Sequence, residues 1–322
     1  MNDRRSHVKL SVVGLNASYF TSKGIVKAVD NITFAIGENE SLGIAGESAS
    51  GKSTLGSALL RALQPPGKIT GGNVIIDGMD IVKLSDNDFN KSIRWKKIAM
   101  IFQGAMNTLD PVYKIGDQMR EIMQQHQFKG NVEDCILESL EQVGLDRDIA
   151  KRYPHELSGG MKQRVVIATA LLMKPDIIIA DEPTTALDVL VQAQIINLLK
   201  TLKKENGLTI ILITHDLGII SEIADKIAIM YAGQLVEIGR ASEIYENPKH
   251  PYTQALISAI PTIQHNSKRL EFIKGNPPDL TRPAPGCRFY ERCPHAMEIC
   301  KQDPPEVATE TGFTRCWLYV KP

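Results

Sequence analysis

GESASGKST, at Gly46–Thr54, sets a glycine, four further residues and then Gly51-Lys52-Ser53, the spacing of a phosphate-binding loop. The apolar run Ser41–Ala45 before it reads as a buried strand, and Ser53–Leu63 after it reads as a helix. That placement is what the chemistry requires. Backbone N–H groups wrap phosphates, the helix start adds its partial positive charge, and Lys52 reaches the outer phosphates. Ser53 offers a hydroxyl to Mg²⁺. Gly46, Glu47, Ser48, Ala49, Ser50, Gly51, Lys52, Ser53 and Thr54 are therefore the candidate nucleotide cradle; an accidental glycine-rich turn is the competing reading.

Outward from the loop, the chain has 322 residues, room for one large domain or one domain and a smaller one. A hydrophobic content of 43% and a charged content of 23% are those of a globular protein in water. Lys+Arg and Asp+Glu both number 37, so net charge gives no hint of a nucleic-acid surface. No apolar run approaches the roughly 18 residues that span a bilayer. MNDRRSHVKL at the N-terminus has charges but no apolar run behind them, so it does not read as a secretory signal. The expected place is the cytosol, and any membrane spanning falls to other subunits.

Val8–Ile36 alternates apolar and polar side chains, as antiparallel strands do, up to the turn Gly37-Glu38-Asn39. Gly71-Gly72 leads to strand-like Asn73–Ile76, and Ile98–Phe102 is another strand. From Ile115 to about Leu145 the period becomes helical, with Ile115, Met119, Ile122 and Met123 on one face and a second start at Asn131-Val132-Glu133. Gly160–Met173 is a third helical run. Ile177–Ala180 and Leu208–Thr214 are short and β-branched, which predicts buried parallel strands. Helices between such strands imply a parallel sheet with helices on its faces. Lys226–Gly239 looks like a hairpin. After Ile260 the chain turns Pro-rich, aromatic and Cys-rich, so a boundary is placed near residue 262.

IIIADEP, Ile177–Pro183, ends a strand with two carboxylates, where open α/β sheets bind ligands. Asp181 is expected to hold Mg²⁺, directly or through water, and Glu182 to polarise the attacking water. LSGGMKQR, Leu157–Arg164, makes a second anion-binding helix start at Ser158-Gly159-Gly160; a loop with a Ser cap is the bland alternative. Two phosphate-binding helix starts make sense together if the second serves a nucleotide held by another subunit.

With these motifs in place, the chain resembles the ATP-binding subunit of an ATP-binding-cassette (ABC) transporter over about residues 8–240. The phosphate loop, Gln103 after a strand, LSGG, IIIADEP, Ala186-Leu187-Asp188 and Thr214-His215-Asp216 occur in that family's order. The resemblance implies an α/β P-loop NTPase fold with a RecA-like core, an antiparallel β subdomain, a helical subdomain inserted at about residues 104–173, and a small Cys-rich C-terminal extension. It gives residues 1–262 as the nucleotide-binding domain and 263–322 as the extension. It implies ATP and Mg²⁺, with Gln103 touching Mg²⁺ and relaying the nucleotide state. His215 would contact the γ-phosphate, against the bland reading of a core histidine, and Asp188 would bridge two subunits. Tyr19 or the adjacent Phe20 would stack on adenine. Ala49 departs from the family, which commonly has Gly there; if φ is positive, Ala costs on the order of 1 kcal/mol.

GRASEIYENPKHPYTQALISAIP, Gly239–Pro261, and GNPPDLTRPAPGCRFYERCP, Gly275–Pro294, resemble the oligopeptide, dipeptide and nickel branch of ABC importers. That implies a partner ATPase, paralogous or identical, two membrane permeases and an extracytoplasmic binding protein, with no nucleic acid, at the cytoplasmic face of the membrane. Cys287, Cys293, Cys300 and Cys316 lie in the tail, and Cys135 sits apart as a buried or incidental thiol. Four thiolates suit Zn²⁺ or an iron–sulfur cluster equally well, and unlinked packing thiols are the alternative. Members of the branch with such a tail resemble holders of a 4Fe-4S cluster. The function implied is ATP-driven import of di- or oligopeptides, with nickel or sugar as alternative substrates. The rivals are a DNA-handling ABC ATPase, which usually carries a long coiled coil before the signature, and one serving iron–sulfur assembly.

Overall fold

The computed structural model describes residues 8–259, 273, 275–283 and 285–320. The first seven residues of MNDRRSHVKL and the boundary near residue 262 lie outside them.

In chain order, β1 (Val8–Thr21) and β2 (Gly24–Gly37) realise the alternating stretch, with Leu10, Val12, Leu15 and Ala17 buried on the first and Ile32, Phe34 and Ile36 on the second. β3 (Ser41–Ala45) is buried at every residue and leads into α1 (Lys52–Leu59). β4 (Gly67–Ile76) turns through Asp77-Gly78, both at positive φ, into β5 (Met79–Asp80). The strand expected at Asn73–Ile76 is thus the end of a longer one, with Gly71-Gly72 inside it. A Cβ on Gly72 would stand 2.3 Å from the Gly14 carbonyl oxygen, so the pair marks a close backbone approach, not a strand start.

Ser85 caps α2 (Asp86–Ser92), and β6 (Ile98–Ile101) follows. α3 (Ile115–Gln125) buries Ile115, Met119 and Met123 on its predicted face. Asn131 accepts from the N–H groups of Glu133 and Asp134 at the start of α4 (Val132–Gln142). Next come α5 (Gly159–Leu171), β7 (Ile177–Asp181), α6 (Val189–Asn206), β8 (Thr209–Ile213) and α7 (Leu217–Ile223). β9 (Lys226–Tyr231) and β10 (Gln234–Arg240) form the expected hairpin about Ala232-Gly233, both at positive φ. α8 (Ala241–Glu246), α9 (Pro251–Ser258), β11 (Glu306–Ala308) and β12 (Phe313–Arg315) complete the chain.

The described residues form two compact units. The first gathers those of Met1–Leu10, Ile36–Glu40 and Ile75–Leu212. Here β6 and β7 pair in parallel, Ile98 opposite Ile177 through Ile101 opposite Ala180, and β8 lies beside β7. β7 and β8 are buried throughout, as strands covered on both faces must be. α4 packs on both α3 and α5; the three run 11, 11 and 13 residues from α3 to α5, too short for a coiled-coil arm. Lys9 and Lys97 bracket Asp77 and Asp176 in a four-charge cluster, with separations of 2.8–3.1 Å.

The second unit gathers Ser11–Ala35, Ser41–Val74 and Ile213–Pro322. β3 pairs in parallel with β9, Leu42 opposite Lys226 through Ala45 opposite Ile229. β10 pairs antiparallel with β12, and β12 with β11, so the C-terminal tail adds two strands of its own to this sheet. Tyr231, Tyr252 and Phe289 form an aromatic triangle with ring centroids 4.6–5.3 Å apart, joining β9, α9 and the tail.

Candidate functional site

The loop Gly46–Thr54 lies in the second unit between β3 and α1, where the sequence places it. Gly46 has φ +154°, and a Cβ there would stand 2.1 Å from the Met230 carbonyl oxygen, so β9 backs the loop too closely for any side chain. Ala49 does take the left-handed conformation, with φ +62°. Gly51 begins α1 without a side-chain cap, which leaves the helix start to its backbone donors. Lys52 is buried, and its Nζ donates to the carbonyl oxygens of Gly46 at 2.7 Å and Glu47 at 2.8 Å and to Ser50 Oγ at 3.3 Å. Tyr19 is half-buried: its Oη lies 3.4 Å from Thr54 Oγ1 and its ring leaves no room for a side chain on Gly67, while Phe20 is 45% exposed. His215, two residues beyond β8, is exposed, which removes the core-histidine reading. Next to it, buried Thr214 accepts from the Asp216 N–H and Asp216 caps α7.

The first unit carries the other expected residues. β7 ends on buried Asp181, and half-buried Glu182 follows at φ +48°, its Oε2 accepting from Thr185 Oγ1 at 3.1 Å. Gln103 is exposed two residues beyond β6. Ser158 accepts from the Met161 N–H at 3.3 Å to cap α5, and Asp188 accepts from the Val191 N–H at 2.9 Å to cap α6. These helix starts meet: a Cβ on Gly160 would stand 2.9 Å from Val191 Cγ1, and one on Gly159 3.7 Å from Leu187 Cδ2. Ser158, Gly159, Gly160 and Asp188 are therefore brought to one place, beside Val189 and Leu190, which are 82% and 70% exposed.

The four tail cysteines line one cavity of about 10 Å³, next to Phe289 and His250. Burial pushes the Cys287 thiol up to about 11, and Cys293 and Cys316 are raised for the same reason, the neighbouring cysteines adding to each shift. Held neutral in this way, they would bind a metal only by giving up their protons to it. As a donor set, four soft sulfurs fit an iron–sulfur cluster. Among the described residues no group of three or more His, Cys, Asp or Glu is spaced to hold a metal ion, so the arrangement as it stands favours neither the cluster nor zinc. Cys135 is buried in the first unit, its thiol donating to the Leu172 carbonyl oxygen, consistent with a packing role.

Sequence reasoning missed the partners of the loop. Arg292 donates through both terminal nitrogens to the Glu47 carboxylate, at 2.7 and 2.9 Å, and the Glu47 N–H donates to Tyr252 Oη at 2.8 Å. HPYT is legible as a family mark, but nothing in it announces that Tyr252 reaches back 205 positions.

The family model described as ABC transporter matches residues 29–185, and the one described as oligopeptide/dipeptide transporter, C-terminal region, matches residues 236–300. The chain is 42% identical over 316 residues to the dipeptide transport ATP-binding protein DppD of Bacillus subtilis, covering 96% of this chain and 94% of that one. It is 44% identical over 314 residues to the oligopeptide transport ATP-binding protein OppD of Salmonella typhimurium, covering 96% and 93%. Among solved structures, the ATP-binding cassette MJ0796, as a dimer in a post-hydrolysis state bound to ADP and Pi, superposes with a TM-score of 0.64 at 30% identity, over 72% of this chain and 98% of that one. Among the described residues no helix is long and apolar enough to cross a membrane.

Proposed function

The chain belongs to the ATP-binding proteins of ABC transporters, and from that membership we propose that it hydrolyses ATP to power import of di- or oligopeptides through membrane permeases. The observation that carries the peptide branch is the match of residues 236–300 to the oligopeptide/dipeptide C-terminal region, together with relatives that are peptide-transport ATP-binding proteins over nearly their whole length. Short helices between β6 and β7, in place of a coiled-coil arm, leave the DNA-handling reading without support.

In the reading we propose, Lys52 and the N–H groups of the loop bind the phosphates of ATP, and the tyrosine at position 19 or Phe20 stacks on adenine. Ser53, Gln103 and Asp181 would hold Mg²⁺, which would supply positive charge against that developing on the transferred phosphoryl group. A second ATPase subunit, paralogous or identical, closes head to tail, so that Ser158, Gly159 and Gly160 of one subunit cover the nucleotide held by the loop of the other. Asp188 bridges the pair. The carboxylate at position 182 orients a water for attack on the γ-phosphorus, His215 holds the γ-phosphate, and ADP and phosphate leave as the interface opens. Residues 1–262 form the nucleotide-binding domain, with the helical subdomain at about 104–173, and residues 263–322 the extension. The protein works at the cytoplasmic face of the membrane with two permeases and an extracytoplasmic binding protein.

The tail thiols of Cys287, Cys293, Cys300 and Cys316 hold a 4Fe-4S cluster in this proposal, and what supports it is their convergence on one cavity. When bound, the cluster supplies a covalent staple for a Pro-rich segment too short to build a core.

Glu182→Gln tests the assignment: it keeps the shape and loses the base, so ATP binding persists while turnover falls by about 10²-fold or more. Measured with the permeases in vesicles, ATP-dependent peptide uptake falls with it. Unchanged hydrolysis would overturn the role of Glu182, and hydrolysis without peptide uptake would overturn the substrate.

A further inference from the structure

Glu47 is the second residue of the phosphate loop, and all three of its polar groups are engaged. Its N–H donates to Tyr252 Oη, its carbonyl oxygen accepts from Lys52 Nζ at 2.8 Å, and its carboxylate takes the two-pronged fork of Arg292. Two of these three partners come from beyond the cassette's last β-hairpin. An N–H held by a phenol is not a donor to phosphate, so at Glu47 the loop is anchored, and phosphate binding falls to the N–H groups after it. Because Lys52 bonds the Glu47 carbonyl, whatever fixes Glu47 also fixes the lysine's resting place.

The anchor is built, not incidental. The Arg292 side chain is 5% exposed, and its guanidinium lies over the Tyr231 and Phe289 rings at 5.7 and 5.9 Å while also donating to Tyr231 Oη at 3.2 Å. Tyr252 is fully buried in the same aromatic triangle. A bidentate pair whose guanidinium is buried has fixed direction as well as charge, unlike a surface ion pair. A charge buried at such cost against a loop that must hold a polyphosphate is spent on geometry.

We propose that the HPYT segment and the Cys-bearing tail clamp the phosphate loop, with Tyr252 and Arg292 as positioning residues that hold Glu47 so that the loop and Lys52 are set for ATP. This rests on the reading that the loop holds the phosphates of ATP. Removing Arg292 does two things: it frees the loop, and it leaves an uncompensated carboxylate beside the bound polyphosphate. Both weaken nucleotide binding without touching the atoms that react.

The test uses the intact chain, with equilibrium binding of a fluorescent ATP analogue, ATPase kinetics and thermal melts. Arg292→Ala is expected to raise Kd and KM about tenfold with kcat at saturation within about twofold of wild type. Arg292→Lys, which keeps the charge but not the fork, falls between, and Tyr252→Phe, which keeps the ring packing, weakens binding about threefold. Glu47→Gln with Arg292→Ala is expected to bind no worse than Arg292→Ala alone, since both changes break one contact. Lys52→Ala separates this proposal from its premise. If Lys52→Ala binds the analogue like wild type, the loop does not hold ATP. If Lys52→Ala loses binding while Arg292→Ala and Tyr252→Phe keep the wild-type Kd, the clamp is overturned. Should Arg292→Ala melt below the assay temperature, Tyr252→Phe decides.

Discussion

At Ala49 the chain places a Cβ in the left-handed region, φ +62°, in the middle of its phosphate loop. The strain there is about 1–2 kcal/mol, against which glycine would give back some unfolded-chain freedom. Ala49→Gly is therefore expected to stabilise the nucleotide-free protein by about 0.5–1 kcal/mol in urea melts; a loss of stability would show that the alanine is not strained. Glu182 is held the same way, at φ +48°. The position of both residues is legible in the sequence because the motif spacing gives it. Of the two, only the strain at Ala49 is foreshadowed, by the glycine the family prefers; nothing in IIIADEP announces the backbone angle of Glu182. A second residue-scale consequence concerns Asp77 and Asp176. Burial works to raise their carboxyls, but hydrogen bonds and charge from Lys9 and Lys97 outweigh it and hold both below the usual carboxylate range. A carboxyl depressed on folding contributes stability that is present above its unfolded value, about 4, and lost as pH falls through the folded one. Because both aspartates are a third exposed, the contribution is small. Asp176→Asn is expected to cost about 0.5–1 kcal/mol at neutral pH and to flatten the fall in stability below pH 4, read from melting temperature against pH.

Among elements, those with a strong repeating signal were readable. β3, β7 and β8 are continuous apolar runs between turn residues, and α3 shows its stripe directly. Asn131, Ser158 and Asp188 mark helix starts by their cap chemistry. β11 and β12 were not readable: three residues carry no period, and the pairing of β12 with β10 depends on partners about 75 positions away. α8 and α9 were hidden for a similar reason, being six and eight residues long in a stretch known only by family likeness. Beside the β10–β12 ladder and the arginine ion pairs, aromatic contact holds this C-terminal region to the sheet. Phe289 is 1% exposed and touches Tyr231, Tyr252 and His250 through ring faces and edges. Phe289→Ala is expected to cost about 3–5 kcal/mol in urea unfolding, whereas a surface aromatic would cost almost nothing.

At the scale of the whole molecule, the motif order gives the cassette and its expected ligands, but not the path by which a distant segment completes the loop. Arg288 pairs with Asp30, Arg292 pairs with Glu47, and the Lys27 N–H donates to the Leu280 carbonyl oxygen, so the tail returns to the opening part of the chain at several points. Such contacts follow from the folded path and leave no local trace in either segment. One consequence concerns the making of the protein. Arg292 is added 245 residues after Glu47, and at about 5–20 residues per second the ribosome needs roughly 12–50 s to cover that distance. Throughout that interval a nascent chain displays GESASGKST without its anchor. The nucleotide loop is made 245 residues before its anchor, so a chain cut short between the two by a premature stop is left holding the motif without its fixed shape.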